Sequence, residues 1–229
     1  MIFCGYQVLL AEAGSRDGFL SGCDFYKKAE YEKALEQFKL LEKEYPAANV
    51  FYNIGNTYFR LGKIGLALVY YERARKISPF DNDVNFNIKF LTEMIKDQDY
   101  RQTFFSVTDV SWLKLVFSFS FFFFVMIISV KLLKPDRALF WPVIGSFVFF
   151  VLFSALYLVK YKQQKQAEAV VVSNSVEIRS GPGSSFKVNF TLPEGKKIVI
   201  LNRSDNWVEI GVKALGIKGW LEEKNIEII

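Results

Sequence analysis

The pattern of apolar and polar residues changes twice along the chain. Residues 15–97 place apolar and aromatic residues at helical spacing among charges, as in "FYNIGNTYF" (Phe51–Phe59), where Asn53 and Asn56 interrupt an apolar face. Residues 112–133 and 138–159 are two apolar runs of 22 residues, with the short turn "KLLKPDR" between them. Residues 169–229 break into short β-branched segments, "AVVVS", "VEIR", "KVNFTL", "KKIVILN", "WVEIGV" and "GIKGWL", separated by Gly, Pro, Asn and Asp. The pattern predicts a multidomain membrane protein: an all-α domain, a transmembrane helical hairpin and a small all-β barrel, with linkers at 98–111 and 160–168.

Each apolar run would form roughly 33 Å of helix, enough to cross a bilayer. Lys114 and Lys131 sit where long side chains can snorkel, and Trp112, Trp141, Tyr157 and Tyr161 sit where an aromatic belt would lie. No Asp, Glu or Arg falls inside either run, so an anchor is expected rather than a transport path. Ser118, Ser120, Ser129, Ser146 and Ser154 could bond between the helices or simply pack. Two spans put the flanking domains on one side of the membrane. The turn offers Lys131, Lys134 and Arg137, against Arg101, Lys114, Lys160, Lys162 and Lys165 outside it. Residues 1–14, from "MIFCGYQVLLAEAGS", read as the end of a signal peptide without its positive n-region, or as a frayed tail. The charge count does not favour a cytoplasmic turn and leans weakly the other way. Set against it, the even number of spans and the A-E-A leader predict an inner-membrane protein with both soluble domains periplasmic.

Within 15–97 the same residue types recur 33 apart: Gly22 and Gly55, Phe25 and Tyr58, Ala34 and Ala67, Phe38 and Tyr71, Pro46 and Pro79. Small residues let paired helices cross closely, aromatics fill the space, and proline ends the second helix. This period and order resemble the tetratricopeptide repeat. Two repeats are expected, followed by "NDVNFNIKFLTEMIKD" as a third first-helix that could serve as a solvating cap. The resemblance implies a concave groove lined by the first helix of each pair. Tyr52, Asn53, Asn56, Phe59 and Arg60 share a face opposite Gly55 and Tyr58, with Asn85 and Lys89 expected from the next first-helix and Tyr26 and Lys27 from the previous one. Such a face has amides for a peptide backbone and cations for a carboxylate. Alternatively, Asn53 and Asn56 space and cap neighbouring helices.

The segment "VEIRSGPGSSFKVNFTLPEGKKIVIL", with the later "NWVEIGV" and "IKGWL", resembles the bacterial SH3-like (SH3b) domain over nearly all of 169–229. Its marks here are Arg179, Gly181, Pro182 and Gly183, then Trp207 and Trp220. The two tryptophans read most simply as core, or else as a binding face.

Charge and chemistry narrow the function. The net charge of +5 is concentrated at 98–167, with 8 Lys/Arg against 3 Asp/Glu, beside the apolar runs. That distribution argues for a membrane and against nucleic acid. The chain has no His, and no nucleotide-binding, hydrolase or metal motif is present. Ser111–Lys114 and Ser184–Lys187 match S-x-x-K by spacing alone. A non-enzyme without cofactor or metal is expected. Cys4 and Cys23 are the only cysteines, and Cys23 reads as a small buried or groove-facing residue.

The order of repeats, hairpin and SH3b domain, with "YNIGNTYFRLGKIGLALVYYERARKISPFDNDVNFNI", resembles the BatE repeat proteins of the Bacteroides aerotolerance (Bat) operon. The resemblance implies a membrane protein working beside von Willebrand A-type membrane proteins and a MoxR-type ATPase in an envelope or stress-related role. Two readings follow: a membrane-tethered scaffold whose repeats bind a partner protein, or a cell-wall module whose barrel binds peptidoglycan peptide.

Overall fold

The computed structural model describes residues 13–95, 110–133, 140–164, 167–212 and 215–229. Most of the expected leader and of the 98–111 linker, and the second half of the "KLLKPDR" turn, lie outside the described residues, and with them Arg101, Lys134, Arg137 and Lys165, as does the side chain of Trp112. The chain divides into two compact units. One joins the N-terminal helices with the C-terminal sheet, and the other is the apolar helix pair.

Five helices make the N-terminal stack: α1 (Ala13–Lys27), α2 (Tyr31–Glu44), α3 (Ala48–Arg60), α4 (Ile64–Ile77) and α5 (Asn82–Met94). They pair through ring-on-glycine contacts. A Cβ on Gly22 would stand 2.6 Å from the Phe38 ring, and one on Gly55 2.7 Å from the Tyr71 ring. Beside them Ala34 and Ala67 are fully buried, as is Phe38. Each pair reverses through a left-handed residue, Ala29 (φ 61°) between α1 and α2 and Gly62 (φ 74°) between α3 and α4. Glycine adopts this conformation without strain, alanine does not. Asp81 caps α5, its carboxylate accepting from the backbone N–H groups of Asp83 and Val84.

The last helix differs from the solvating cap that its position suggests. Its inner face buries Val84, Ile88 and Leu91, yet Phe86 is 68% exposed and Phe90 and Met94 are also open. Cys23, at 1% exposure, belongs to the core of the stack, which is the buried position its sequence context implied.

The C-terminal part is an antiparallel sheet of seven strands: β1 (Glu168–Val171), β2 (Ser175–Arg179), β3 (Val188–Pro193), β4 (Lys197–Ser204), β5 (Trp207–Val212), β6 (Ile217–Glu222) and β7 (Ile226–Ile228). Their order is β3-β2-β6-β5-β4-β1-β7. Among the described residues no ladder joins β3 to β7, so the sheet has two ends where a closed barrel was expected. Its core is Val176, Ile178, Val208, Ile210, Val212 and Leu221, the alternate residues of their strands.

Stack and sheet share a junction along α4. Val170 belongs to the helical core, with Val172 and Ile229 packed against it. Gly65 permits the approach: a Cβ there would stand 2.6 Å from the Val171 carbonyl oxygen. Its N–H donates to Glu194 Oε1 at 2.6 Å. Arg73 Nη2 donates to Glu227 Oε1 (2.7 Å) and to the Ile228 carbonyl (2.6 Å). Glu72 is 2% exposed, and its charge is met by Arg75 and by Lys197 of β4. A buried carboxylate is tolerable only with such partners. Burial also holds the Lys76 ammonium below its usual range while Lys76 Nζ donates to the Ile229 carbonyl at 2.8 Å.

The second unit is α6 (Val110–Leu133) and α7 (Phe140–Gln164). Within them Leu113–Leu133 and Phe140–Val159 are long and apolar enough to cross a membrane by length and composition. The helices meet through aromatic rings: Phe117 and Phe121 on Phe150, Phe124 on Phe147, and Phe117 stacked on Tyr157 at 5.5 Å.

Candidate binding surfaces

The inner face of the first helices brings together only part of the residues expected there. Tyr52 and Tyr26 are mostly buried, and Arg60 Nε donates to Tyr26 OH at 3.2 Å across neighbouring first helices. That hydrogen bond raises the Arg60 guanidinium pKa above its ordinary value. The Phe59 ring meets Phe90 edge-on at 6.0 Å. Lys27 lies 3.9 Å from Asp24 on its own helix.

Asn53 is 3% exposed, and its amide nitrogen donates to the Asn49 carbonyl at 2.8 Å. It is a packing residue. Asn56 is half-buried, and its Oδ1 accepts from Tyr71 OH (2.7 Å) and from Asn87 Nδ2 (3.3 Å). Asn87 Nδ2 also donates to Tyr52 OH at 3.2 Å. These four side chains tie α3, α4 and α5 together. Burial raises the phenol pKa of Tyr52 and, far more strongly, that of Tyr71, so both remain protonated donors.

Asn85 and Lys89 do not join this face. Asn85 Nδ2 donates to the Pro79 carbonyl, and Lys89 is an exposed side chain 3.9 Å from Glu93. The reason is one inserted residue. Residues 45–47 connect α2 to α3, but 78–81 connect α4 to α5, so Ala48 corresponds to Asn82 at a spacing of 34. One residue turns a helix by about 100°. The positions equivalent to Asn53 and Asn56 are therefore Asn87 and Phe90, which counting at a constant 33 misses. The surface left open along the groove is Phe59, Arg60, Phe90 and Phe86, more aromatic than amide.

Between α2 and the end of α3, a recess of about 490 Å³ is lined by Glu32, Leu35, Glu36, Lys39, Tyr58, Leu61 and Lys63. Burial lowers the Lys39 pKa, but hydrogen bonds to Glu42 and Tyr70 outweigh it and the net shift is upward. Among the described residues no group of three or more His, Cys, Asp or Glu side chains is placed to hold a metal ion.

In the sheet, Arg179 Nη1 donates to the carbonyls of Ser184 (2.7 Å) and Phe186 (2.8 Å), pinning the loop that contains Gly181, Pro182 and Gly183. A Cβ on Gly181 would stand 2.6 Å from the Phe186 ring, so this glycine is the ring's seat. Trp207 and Trp220 are not core residues. Trp207 alternates with buried Val208, Ile210 and Val212, and Trp220 lies between buried Gly219 and Leu221, so both half-buried indoles occupy the outer face. The parity was available in the sequence, because each tryptophan shares it with charged residues: Glu209 in β5, Lys218 and Glu222 in β6.

The tetratricopeptide repeat family matches residues 48–81, which hold α3, α4 and the turn into α5. The chain is also similar to a protein of Bacillus subtilis (strain 168) carrying the name "Putative N-acetylmuramoyl-L-alanine amidase YrvJ". The two are 36% identical over 56 residues, which is 24% of this chain and 11% of that protein.

Proposed function

We propose that this chain is a membrane-anchored protein-interaction scaffold of the bacterial envelope, acting by binding rather than by catalysis. The observation that carries this reading is the tetratricopeptide repeat over α3 and α4, a module whose stacked helices offer a groove to a partner. In this chain the groove's open surface is Phe59, Arg60, Phe90 and Phe86, suited to a peptide segment with bulky apolar side chains and a carboxylate. The stack and the sheet bury each other's apolar residues, so both belong on one side of a bilayer, and α6 and α7 then cross it as a pair. The SH3b-like sequence marks and the Bat-type order favour the periplasmic side of the inner membrane and a partner among von Willebrand A-type membrane proteins of a Bat complex.

A second reading has the sheet as an SH3b-like module that binds peptidoglycan peptide. It is favoured by the similarity to a protein named as a putative N-acetylmuramoyl-L-alanine amidase.

The scaffold reading is tested with the full chain in lipid nanodiscs against co-expressed von Willebrand A-type membrane proteins. Arg60→Ala with Phe90→Ser should weaken capture at least tenfold while the melting temperature holds within a few degrees. Capture that is absent in the unaltered chain, or equal in the folded double variant, overturns it.

A further inference from the structure

We propose that the outer face of β2, β6, β5 and β4 is a saccharide-binding surface, with a pyranose ring laid on Trp220. The site is separate from the repeat groove and stands or falls apart from it. Ladder pairing sets one outward row across four strands: Arg179 opposite Trp220, Trp220 opposite Glu209, and Glu209 opposite Asn202. At strand spacing the row spans about 14 Å. The next rung sets Trp207 opposite Glu222, which places the second indole diagonally beside the first.

The row reads as a guanidinium, a ring, a carboxylate and an amide. Its two charges already face opposite charges, Arg179 on Glu177 and Glu209 at 3.7 Å from Lys218. A neutral ligand therefore matches the face better than an ionic one. Asn202 Oδ1 accepts from the Arg203 backbone N–H at 2.9 Å, which turns the amide nitrogen outward as a donor. Glu209 supplies acceptor oxygens beside it. An indole flanked by one donor and one acceptor suits a ring with an apolar CH face and equatorial hydroxyls.

An extended peptide fits this face less well. Peptides add to sheets through the backbone groups of a free edge. Here β6 and β5 lie inside the sheet, and their backbone groups are taken by ladders on both sides. Leu201, 51% exposed, lies over Gly211 on the same face and extends the apolar floor.

The full chain in phospholipid nanodiscs is titrated with chitotetraose while tryptophan emission is followed. A saturable change is expected. Asn202→Ala, at an exposed position outside the core, and Glu209→Gln should each weaken binding at least tenfold. Trp220→Phe should keep most of the affinity and Trp220→Ser should lose it. No saturable response, a response indifferent to Asn202→Ala and Glu209→Gln, or a response to free stem peptide or a proline-rich peptide in place of chitotetraose overturns the proposal. Because none of these variants touches the groove, capture of the membrane partner remains the separate measure of the scaffold reading.

Discussion

In the repeat stack, Tyr71 of α4 and Asn87 of α5 both donate to Asn56 of α3. In the apolar pair, Ser118, Ser129 and Ser154 each donate to the carbonyl four residues back on their own helix, and Ser120 and Ser146 to the one three residues back. The stack thus uses side-chain polar groups to fix one helix against the next. Among the described residues, the serines of the apolar pair are satisfied within their own helices, and the contacts between the helices are ring packing and the Lys131 ammonium over the Phe140 ring at 5.1 Å. Bonds that cross between helices specify a register, because slipping by one residue leaves a buried donor unpaired. Ring-on-ring contact in an apolar surrounding specifies much less. The difference teaches that side-chain specificity in this chain is concentrated in the stack and sheet, which is what the anchor role proposed for α6 and α7 requires.

The largest expected effect tests the stack's core. Phe38 is fully buried on Gly22 and also meets Phe19 at 5.7 Å. Phe38→Ala should destabilise the stack by about 3–5 kcal/mol, because the glycine beneath it cannot fill the space. Urea unfolding followed by amide exchange in α1 and α2 would read this out. The ring most involved between α6 and α7 is Phe150, which meets Phe117, Phe121 and Phe124. Phe150→Leu should leave both the stack's stability and partner capture unchanged. Equal damage from the two substitutions would erase the contrast between specified and anchoring regions.

A smaller effect should appear in alkali. Burial raises the phenol pKa of Tyr52, Tyr58, Tyr70 and, most strongly, Tyr71 above the ordinary value of 10. A group with a raised folded pKa stabilises fully below its unfolded pKa and loses that contribution as pH rises past it. Each such tyrosine therefore removes about 1.4 kcal/mol of stability per pH unit above 10, for as long as the folded form keeps its proton. Melting temperatures between pH 9 and pH 11 should fall, and Tyr71→Phe should flatten the slope at the expense of one hydrogen bond to Asn56. A slope identical in the variant would mean that Tyr71 ionises as readily folded as unfolded.

Much of this architecture can be read from local pattern. The 33-residue recurrence of Gly22, Ala34 and Phe38 in Gly55, Ala67 and Tyr71 carries the two ring-on-glycine pairs directly, since each depends on residues within one repeat. What depends on counting across a connection is less legible. The fourth residue between α4 and α5 displaced Asn85 and Lys89 from the face and brought Asn87 and Phe90 onto it. What depends on contact between distant segments is not legible at all. Glu72, among Arg73, Arg75 and Lys76, looks like part of a solvated face, and its second cation, Lys197, lies 125 positions further along the chain. Equally, nothing local to Gly65 announces that Val171 will pass against it.

The smallest expected effect belongs to the serines of α6 and α7, and it tests the anchor reading most directly. Ser118, Ser129 and Ser154 return their hydroxyls to the carbonyls of Lys114, Val125 and Phe150, at 2.9, 2.8 and 2.7 Å. Those carbonyls also accept within the helix, so replacing the hydroxyl leaves no backbone group unpaired, and back-bonding of this kind adds little or slightly weakens a helix. The triple change Ser118→Ala, Ser129→Ala and Ser154→Ala should therefore alter stability by no more than about 0.5 kcal/mol. Insertion, folding and capture of the membrane partner should all be retained. Ser120 and Ser146, at 4% and 8% exposure, give the positive control. Ser146→Leu puts extra volume into a closed position and should destabilise the helix pair by about 1–3 kcal/mol. If instead the triple variant inserted and folded but no longer captured the partner, these serines of α6 and α7 would themselves mark a recognition surface. The apolar pair would then carry specificity that its internal bonding does not use.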